Sequence, residues 1–352
     1  MRKYLLPETG NFYKANMHCH STFSDGRLTV EELKEIYKRH GYSIIAFTDH
    51  NVLIDHSDLN DDDFMAITGY ELDVNDEKYD RSWNHTPCAH LCFYATDPHN
   101  DVLPCFNPQY FCKATPEEAK AAQKYSGDPD YTRNYRNINN IVRQHAEAGF
   151  IACFNHPTWS IQDLDDYRDI DGIFAFEMYN HGCWVEGYPE INEQAYDELL
   201  RRGKRISCIA SDDNHNRFSE GHPRFDSCGG FINIKAEKLE YGTIMDALRR
   251  GDFYASTGPE IYELYAEDEK IVVKTSPAAK ISITTYGRRA AVATGEKVGE
   301  LITEASLPTL GLYDRYIRVH VDDGCGHYAW SRAYFDACGM ENGRYDNQAF
   351  RK

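Results

Sequence analysis

Residues 43–50 read SIIAFTDH, a short apolar run that ends in Thr48, Asp49 and His50. The run is too short for a helix and contains β-branched isoleucines, so it is predicted to form a buried strand. Thr and Asp are also typical of an ordinary turn at a strand end, whereas His50 adds a potential metal ligand. The stretch therefore predicts a buried strand with a polar group at its carboxyl end.

Helical patterns alternate with such runs through the first 258 residues. Residues 29–32 (TVEE) have the sequence of a capping box, an apolar helical stripe follows, and Gly41 can end the helix before residue 43. Alternating strands and helices indicate a parallel sheet covered by helices, so we expect an α/β fold with a seven-stranded (β/α) barrel. Its predicted strands lie near residues 14–18, 43–48, 65–71, 89–95, 150–154, 172–178 and 205–210.

Two segments depart from this alternation. Residues 96–135 contain five prolines and are predicted to be a long insertion over the barrel mouth. After Gly258-Pro259, strand-like runs separated by Gly, Pro and Asp predict a small all-β, sandwich-like domain. We therefore expect residues 1–258 to form the barrel and residues 259–352 to form the C-terminal β domain.

The composition is that of a folded, acidic protein. Of its 352 residues, 41% are hydrophobic and 13% are aromatic, and the formal net charge is −18. This charge argues against a general binder of nucleic acid or of an anionic membrane, which would carry a basic face. The eleven cysteines are irregularly spaced, and neither a secretory leader nor an apolar run of about 18 residues is visible. We therefore expect reduced thiols and a cytoplasmic location.

Nine potential metal ligands flank the predicted strands. All are imidazoles or carboxylates, and they are His18, His20, Asp25, His50, Glu71, His90, His156, Asp213 and His215. Each alone has an ordinary interpretation, such as a hydrogen-bonded histidine at a strand end or a surface acid. Their recurrence at successive strand ends, and the repulsion that packed carboxylates would suffer without cations, together predict a metal site.

The order of these residues, HCH…D…TDH…E…H…NHP…DDNH over about residues 14–258, resembles the PHP (polymerase and histidinol phosphatase) family of metal-dependent phosphoesterases. The resemblance implies a distorted seven-stranded (β/α)7 barrel and a di- or trinuclear site for two or three divalent ions of manganese, iron or zinc. Many members have a histidine where this chain has Asp25, and a carboxylate there favours manganese or iron. The implied ligand sets are His18, His20, Glu71 and Asp213; Asp25, His50 and His215; and Glu71, as a bridge, with His90 and His156.

Neighbouring residues compete for two of these positions. His85 and His99 are alternatives to His90, which is favoured because it begins a strand-like run. Asp212 is an alternative to Asp213, which is favoured by the Asp-x-His spacing of the family.

The resemblance implies hydrolysis of a phosphomonoester or phosphodiester in a small-molecule substrate, with a water molecule activated by the metal ions. The tail ALRRGDFYASTGPE, followed by the β domain, resembles the branch of the family that includes carbaryl-type ester hydrolases. The expected roles are Glu71, Asp213 and His215 in catalysis, Arg217 and Arg224 as phosphate contacts, and Asp49, Asp212 and Glu177 as residues that orient the ligand imidazoles.

Two other functions stay open. The same metal centre could hydrolyse a carboxylic ester or a carbamate, or the barrel could be a metal-stabilised scaffold whose β domain binds a partner. Five aromatic residues could stack on a base or sugar, or could belong to the core; these are Trp83, Tyr110, Phe111, Trp159 and Trp184.

Overall fold

The computed structural model describes residues 2–76, 83–128, 131–309 and 315–335, except for the side chain of Trp83. Contacts divide the chain into two compact units, Thr9–Thr257 and a unit formed by Met1–Glu8 together with Gly258–Lys352. Three parts of the predictions fall outside the described residues: the Trp83 side chain, residues 129–130 of the insertion, and residues 310–314 and 336–352 of the C-terminal domain.

One curved sheet organises the larger unit. The strands of the described chain before residue 257 are β1 (Lys3–Tyr4), β2 (Asn11–Asn16), β3 (Ile44–Phe47), β4 (Met65–Asn75), β5 (Cys88–Ala95), β6 (Val102–Leu103), β7 (Lys124–Tyr125), β8 (Phe150–Phe154), β9 (Ala175–Asn180), β10 (Ser207–Ser211), β11 (Phe231–Ala236) and β12 (Phe253–Ser256). The strand order in the sheet is β10-β9-β8-β5-β4-β3-β2-β11-β12. Strand β10 also lies against β11 and β12, so the two ends of this run of strands meet.

The sheet is mixed in direction. The parallel pairs are β2–β3, β3–β4, β8–β9 and β9–β10. The antiparallel pairs are β4–β5, β5–β8, β2–β11 and β11–β12. The α/β class is confirmed, but the seven-stranded (β/α)7 barrel is not, because the larger unit contributes nine described strands to this sheet. Each predicted segment overlaps one of the nine, and β11 and β12 are additional.

Seven α-helices occur in the described residues, and none of them is long and apolar enough to cross a membrane. They are α1 (Val30–Arg39), α2 (Glu117–Ala122), α3 (Ile138–Glu147), α4 (Leu164–Tyr167), α5 (His181–Glu186), α6 (Glu193–Arg201) and α7 (Tyr241–Arg250).

The first helix and the strand after it form as their local sequence predicts. The Thr29 hydroxyl accepts a hydrogen bond from the Glu32 backbone N–H at 3.3 Å, and the Glu32 carboxylate accepts one from the Thr29 N–H at 2.9 Å. Such a cap stabilises a helix by about 1 kcal/mol. The helix ends at Arg39, and Gly41, with a φ of 76°, turns the chain towards β3, which begins at Ile44 and is buried at all four residues.

The smaller unit is antiparallel β structure. β1 pairs with β13 (Ile261–Glu267), and the first sheet has the order β1-β13-β14-β17. A second group has the order β19-β18-β15-β16. The C-terminal β-rich domain is thus present, and residues 2–8 belong to it because Lys3 and Tyr4 pair with β13. The remaining strands are β14 (Lys270–Ala278), β15 (Lys280–Thr285), β16 (Ala290–Thr294), β17 (Ile302–Pro308), β18 (Ile317–Asp322) and β19 (Tyr328–Ser331).

A neutral histidine belongs to the core of the larger unit. His145 on α3 is fully buried, and its ring stacks on Phe93 with the centroids 3.6 Å apart. Its Nδ1 lies 2.7 Å from the Ile141 carbonyl and therefore carries the proton, while Nε2 accepts a hydrogen bond from the Tyr70 hydroxyl. Burial lowers the pKa of His145 from 6.5 to about 3.

Because the folded pKa of His145 lies below its unfolded value, protonation favours the unfolded chain as the pH falls from 6.5 towards 3. We expect His145→Gln to reduce the slope of unfolding free energy against pH by about 1.4 kcal/mol per pH unit between pH 6 and 4. Urea titrations at successive pH values measure this slope. The exposed His222→Gln is the control, and an unchanged slope in His145→Gln would contradict the prediction.

Candidate metal centre

The carboxylate of Glu71 lies at the centre of a histidine cluster. Glu71 is fully buried and lies within β4, which continues four residues beyond the predicted strand end. Its Oε1 lies 3.2 Å from His18 Nε2, 3.0 Å from His90 Nδ1 and 3.2 Å from His156 Nε2. Its Oε2 lies 3.0 Å from His50 Nδ1 and 3.4 Å from His20 Nε2. One carboxylate therefore contacts five imidazoles that come from five separate positions of the chain.

Asp213 provides the second carboxylate of the cluster. Its Oδ1 lies 2.9 Å from His20 Nε2 and 3.3 Å from His18 Nε2. Asp213 has a φ of 51°, an unfavourable conformation for a residue with a side chain, and its N–H donates to the His18 carbonyl at 2.8 Å. Gly182 lies against this turn, where a Cβ would come within 2.6 Å of the Asp213 carbonyl oxygen. The surrounding chain thus holds a strained backbone that directs the carboxylate at the histidines.

Asp25 and His215 lie at the open side of the cluster. Asp25 Oδ1 is 3.3 Å from His215 Nε2 and 3.8 Å from His50 Nε2. The ring of His20 stacks on that of His215 at a centroid distance of 4.5 Å and lies tilted against that of His50 at 4.4 Å. All nine ligand candidates therefore lie in one connected group.

Four sets of ligand atoms lie close enough to hold a metal ion, with all atoms of a set within 4.8 Å of one another. The sets are His18, His20, Glu71 and Asp213; His20, Asp25, His50 and His215; His18, His156 and Glu177; and His50, Glu71 and His90. The first is the first set implied by the resemblance, and the second contains the implied second set. His90 and His156 share Glu71 Oε1 but belong to different sets, so the division of ligands among ions stays a prediction.

Two buried oxygens of the cluster indicate that these residues fit divalent cations. Glu71 Oε2 and Asp25 Oδ1 accept no hydrogen bond of good geometry from the described residues. A buried carboxylate oxygen without a partner is costly, and a bound cation removes that cost. Imidazole and carboxylate donors together suit zinc, manganese and iron.

Protons and metal ions would compete for these donors. Burial alone would raise the pKa of Glu71, but the imidazoles of His18, His90 and His50 hold it well below its usual range. Burial alone would lower the pKa of His18, but Asp213 and Glu71 raise it well above 6.5. Without metal the cluster therefore favours imidazolium–carboxylate pairs, and metal binding would release protons.

Glu177 on β9 orients the His18 imidazole and holds the backbone at His156. Its Oε1 is 3.1 Å from His18 Nδ1 and accepts from the Ser211 hydroxyl, and its Oε2 accepts the His156 N–H at 2.8 Å and the Asn180 amide at 3.0 Å. With Nδ1 of His18 directed at Glu177, the Nε2 atom faces Glu71 and Asp213.

Asp49 and Asp212 were also expected to orient imidazoles. In the described residues, neither forms a hydrogen bond with a ligand imidazole. Asp49 accepts from the Ser21 N–H and from the Ser21 and Ser24 hydroxyls at 2.6–2.8 Å, so it fixes the turn after His20. Asp212 is directed away from the cluster, where its carboxylate accepts from the Tyr37 hydroxyl at 2.7 Å and from the N–H groups of residues 228–230 at 2.7–2.9 Å. Asp49 also acts on a ligand imidazole through Ser24, whose Oγ lies 3.4 Å from His20 Nδ1, whereas Asp212 holds the backbone of residues 228–230.

Three further polar side chains complete the cluster, and two of them, Asn155 and Ser211, were missed by the sequence reasoning. The Asn155 amide donates to Glu71 Oε1 at 3.0 Å, and Ser211 donates to Glu177. The Asn180 amide donates to Asp213 Oδ2 at 3.0 Å. The signal for Asn155 was its place directly before His156, where a strand-end residue also faces the site.

The competing histidines lie elsewhere. His85 is exposed, and His99 is exposed and pairs with Asp55 at 2.7 Å. His90 lies within β5 and not at its start.

A cavity of about 640 Å³ opens over the cluster. Trp159 lines it and packs edge-on against His90 and His156, with centroid distances of 5.3 and 5.2 Å. Tyr110 and Phe111 of the insertion also line it, whereas Trp184 is 46% exposed and is not among the lining residues in the described chain. The insertion therefore forms one wall of the cavity.

The two arginines expected at the phosphate lie in different places. Arg217 lines the cavity and pairs with Glu186 at 3.4 Å. The Arg224 guanidinium lies over the Phe218 ring at 4.7 Å, and Arg224 is not among the lining residues in the part of the chain that is described. Lys113 of the insertion lines the cavity as a second cation.

Comparison with known proteins identifies the family. The sequence matches the PHP domain family over residues 16–201, which is more than half of the chain. The chain belongs to the PHP family. The match ends before Asp213 and His215, which the structure brings into the same cluster as the PHP residues. The carbaryl-hydrolase branch is not confirmed by this match.

Two solved structures are similar. One is a two-domain protein from Bacteroides vulgatus containing a predicted PHP-like metal-dependent phosphoesterase, with a TM-score of 0.44 and 13% identity over 91% of this chain and 94% of that chain. The other is a candidate metal-dependent phosphoesterase from Bifidobacterium adolescentis, with a TM-score of 0.34 and 17% identity over 70% of this chain and 96% of that chain. Comparison with curated proteins finds no significant match. The family membership therefore rests on the sequence match.

Glu71→Gln tests whether one carboxylate serves several ions. The neutral amide keeps the side-chain shape but loses the charge that faces five imidazoles, so we expect loss of more than one equivalent of bound metal. Atomic emission analysis of protein loaded with manganese measures the stoichiometry. Glu190→Gln, a buried glutamate that accepts from Thr158, Trp159 and Asn192, is the matched control and keeps full occupancy. Loss of a single equivalent in Glu71→Gln would argue against a bridging role.

Glu177→Gln tests whether Glu177 orients the His18 imidazole without itself binding a metal ion. We expect manganese to bind about 10–100-fold more weakly with unchanged stoichiometry at saturation, because the charged partner of His18 Nδ1 is lost. Titration in a metal buffer measures the affinity. Wild-type affinity in a folded Glu177→Gln variant would contradict this role.

Proposed function

We propose that this PHP-family protein is a metal-dependent hydrolase that cleaves a phosphate ester, a phosphomonoester or phosphodiester, in a small molecule. The observation that carries the proposal is the set of nine ligand-type side chains gathered around Glu71 and Asp213 at the floor of an open cavity. The family membership supports the same reaction class.

The proposed metal ligands are those expected from the sequence, for two or three divalent ions of manganese, iron or zinc. Bound cations would lower the pKa of a water molecule and neutralise negative charge on a phosphoryl group. Glu71 would contribute to more than one metal site, Asp213 would bind metal beside His18 and His20, and His215 and Asp25 would bind it at the open side of the cluster. Glu177 and Asn180 keep these groups in place.

The cavity is strongly acidic, so cations must balance a phosphate there. Its lining contains six carboxylates: Asp25, Glu71, Asp73, Glu186, Asp213 and Asp226. The cationic side chains that line it in the described chain are Lys113 and Arg217. We propose these two as phosphate contacts, and Lys113 takes the place expected for Arg224, whose guanidinium lies over Phe218.

The thiols in the cavity do not suit nucleophilic attack. Burial raises the pKa of both Cys112 and Cys183, so each is held in its protonated form. Water is therefore the nucleophile that the lining favours.

The proposal predicts metal-dependent turnover of phosphate esters. Protein stripped with a chelator and reloaded with manganese is assayed with p-nitrophenyl phosphate, bis-p-nitrophenyl phosphate and p-nitrophenyl acetate. We expect release of p-nitrophenol from at least one phosphate ester, and its loss in His18→Ala together with bound metal.

Two outcomes would contradict the proposal and favour an alternative. Turnover of the acetate alone would indicate a carboxylic ester or carbamate hydrolase. Full metal occupancy without hydrolysis of any ester in a broad panel would indicate a metal-stabilised scaffold.

A further inference from the structure

Arg133 is a buried arginine whose hydrogen bonding is incomplete. It is 3% exposed, and its Nη1 donates to Asn51 Oδ1 at 2.7 Å and to the Asp73 carbonyl at 3.0 Å. Its buried Nε and Nη2 have no hydrogen-bond partner among the described residues, and the Asp73 carboxylate lies 3.6 Å from Nη1. Burying unmet donors is unfavourable, so an arginine kept in this environment indicates a specific role.

The partners of Arg133 belong to two segments that carry metal-ligand candidates. Asn51 directly follows His50, and its backbone N–H donates to the Glu71 carbonyl at 2.8 Å. Asp73 is two residues from Glu71 on β4, and its carboxylate accepts from the Asn51 amide at 2.6 Å. Asn51 has a φ of 57°, so this turn needs support from its neighbours. Arg133 supplies that support from outside the cluster.

The other contacts of Arg133 are to the wall of the cavity. Its guanidinium lies 4.0 Å from the centroid of the Tyr110 ring, and its backbone N–H donates to the Tyr110 hydroxyl at 2.8 Å. That hydroxyl in turn donates to the Tyr131 carbonyl at 3.3 Å. A buried cation over an aromatic ring is attracted to the electron-rich ring face, so this contact helps to hold Tyr110. Tyr110 belongs to the lining segment, residues 109–113, all of which line the cavity.

We propose that Arg133 is a positioning residue, which docks the lining segment onto the two chain segments that carry His50 and Glu71 and so fixes the wall of the cavity against which a substrate binds. The proposal rests on the proposed function for its kinetic consequence. Inorganic phosphate lacks the organic group of an ester, so it would meet the lining segment only through Lys113 and would bind mainly through the cluster and Arg217. Arg133 would therefore affect esters and free phosphate differently.

The test compares three variants loaded with manganese. Arg133→Met keeps the apolar stem, and Arg133→Lys keeps the charge but loses the planar guanidinium that lies over the Tyr110 ring. Arg143→Met is the control at an exposed arginine that pairs with Glu147. We expect both Arg133 variants to raise KM for p-nitrophenyl phosphate about 10-fold, while the Ki of inorganic phosphate rises less than KM and the metal content stays within twofold. We also expect faster hydrogen exchange in residues 109–113 than in the control.

Other outcomes would overturn the proposal. A folded Arg133→Met protein with wild-type KM and wild-type exchange in residues 109–113 would rule out docking. Equal rises in KM and Ki with loss of metal would mean that Arg133 only supports the ligands. If the wild-type protein hydrolyses no phosphate ester, the proposed function fails, and the exchange of residues 109–113 still decides the docking role.

Discussion

The buried carboxylate of Glu71 requires positive charge around it, and the centre of the larger unit is organised around that requirement. A carboxylate removed from water is unstable by several kcal/mol unless charged partners compensate for it. Five imidazoles lie within 3.4 Å of its two oxygens, and one of those oxygens still accepts no hydrogen bond of good geometry. Protons on the imidazoles compensate part of this charge, and divalent cations would compensate it more completely.

The fold brings these side chains together by ending strands at one place. His18 follows β2, His50 follows β3, His156 follows β8 and Asp213 follows β10, and these strands belong to one curved sheet. Glu71 and His90 reach the same place from within β4 and β5, which pair antiparallel. The left-handed turn at Asp213, with Gly182 packed against it, is the strain that this convergence requires. Glu177, Asp49 and Asp212 then fix the backbone and imidazoles through hydrogen bonds.

Local sequence predicted what depends on local physics. The capping box at Thr29 and the buried strand β3 follow from patterns within a few residues of each position. The convergence of the nine ligand candidates was predicted from their recurrence at successive strand ends and from the family resemblance. The antiparallel direction of β5 was not predicted. It depends on the long-range pairing of β5 with β4 and β8, and the alternation of strands and helices along the sequence does not show that pairing. The position of Arg224 over Phe218 and the burial of Arg133 are also long-range outcomes. The spacing of residues along the sequence indicates which side chains can bind a metal ion, but not which arginine and lysine side chains face the cavity.

X-ray diffraction from crystals soaked in manganese, with data collected above and below the manganese absorption edge, tests the central claim most directly. We expect an anomalous peak bounded by Glu71, Asp213, His18 and His20, and a second one near Asp25, His50 and His215. Well-ordered side chains with no anomalous peak next to Glu71, at saturating manganese and neutral pH, would contradict the account.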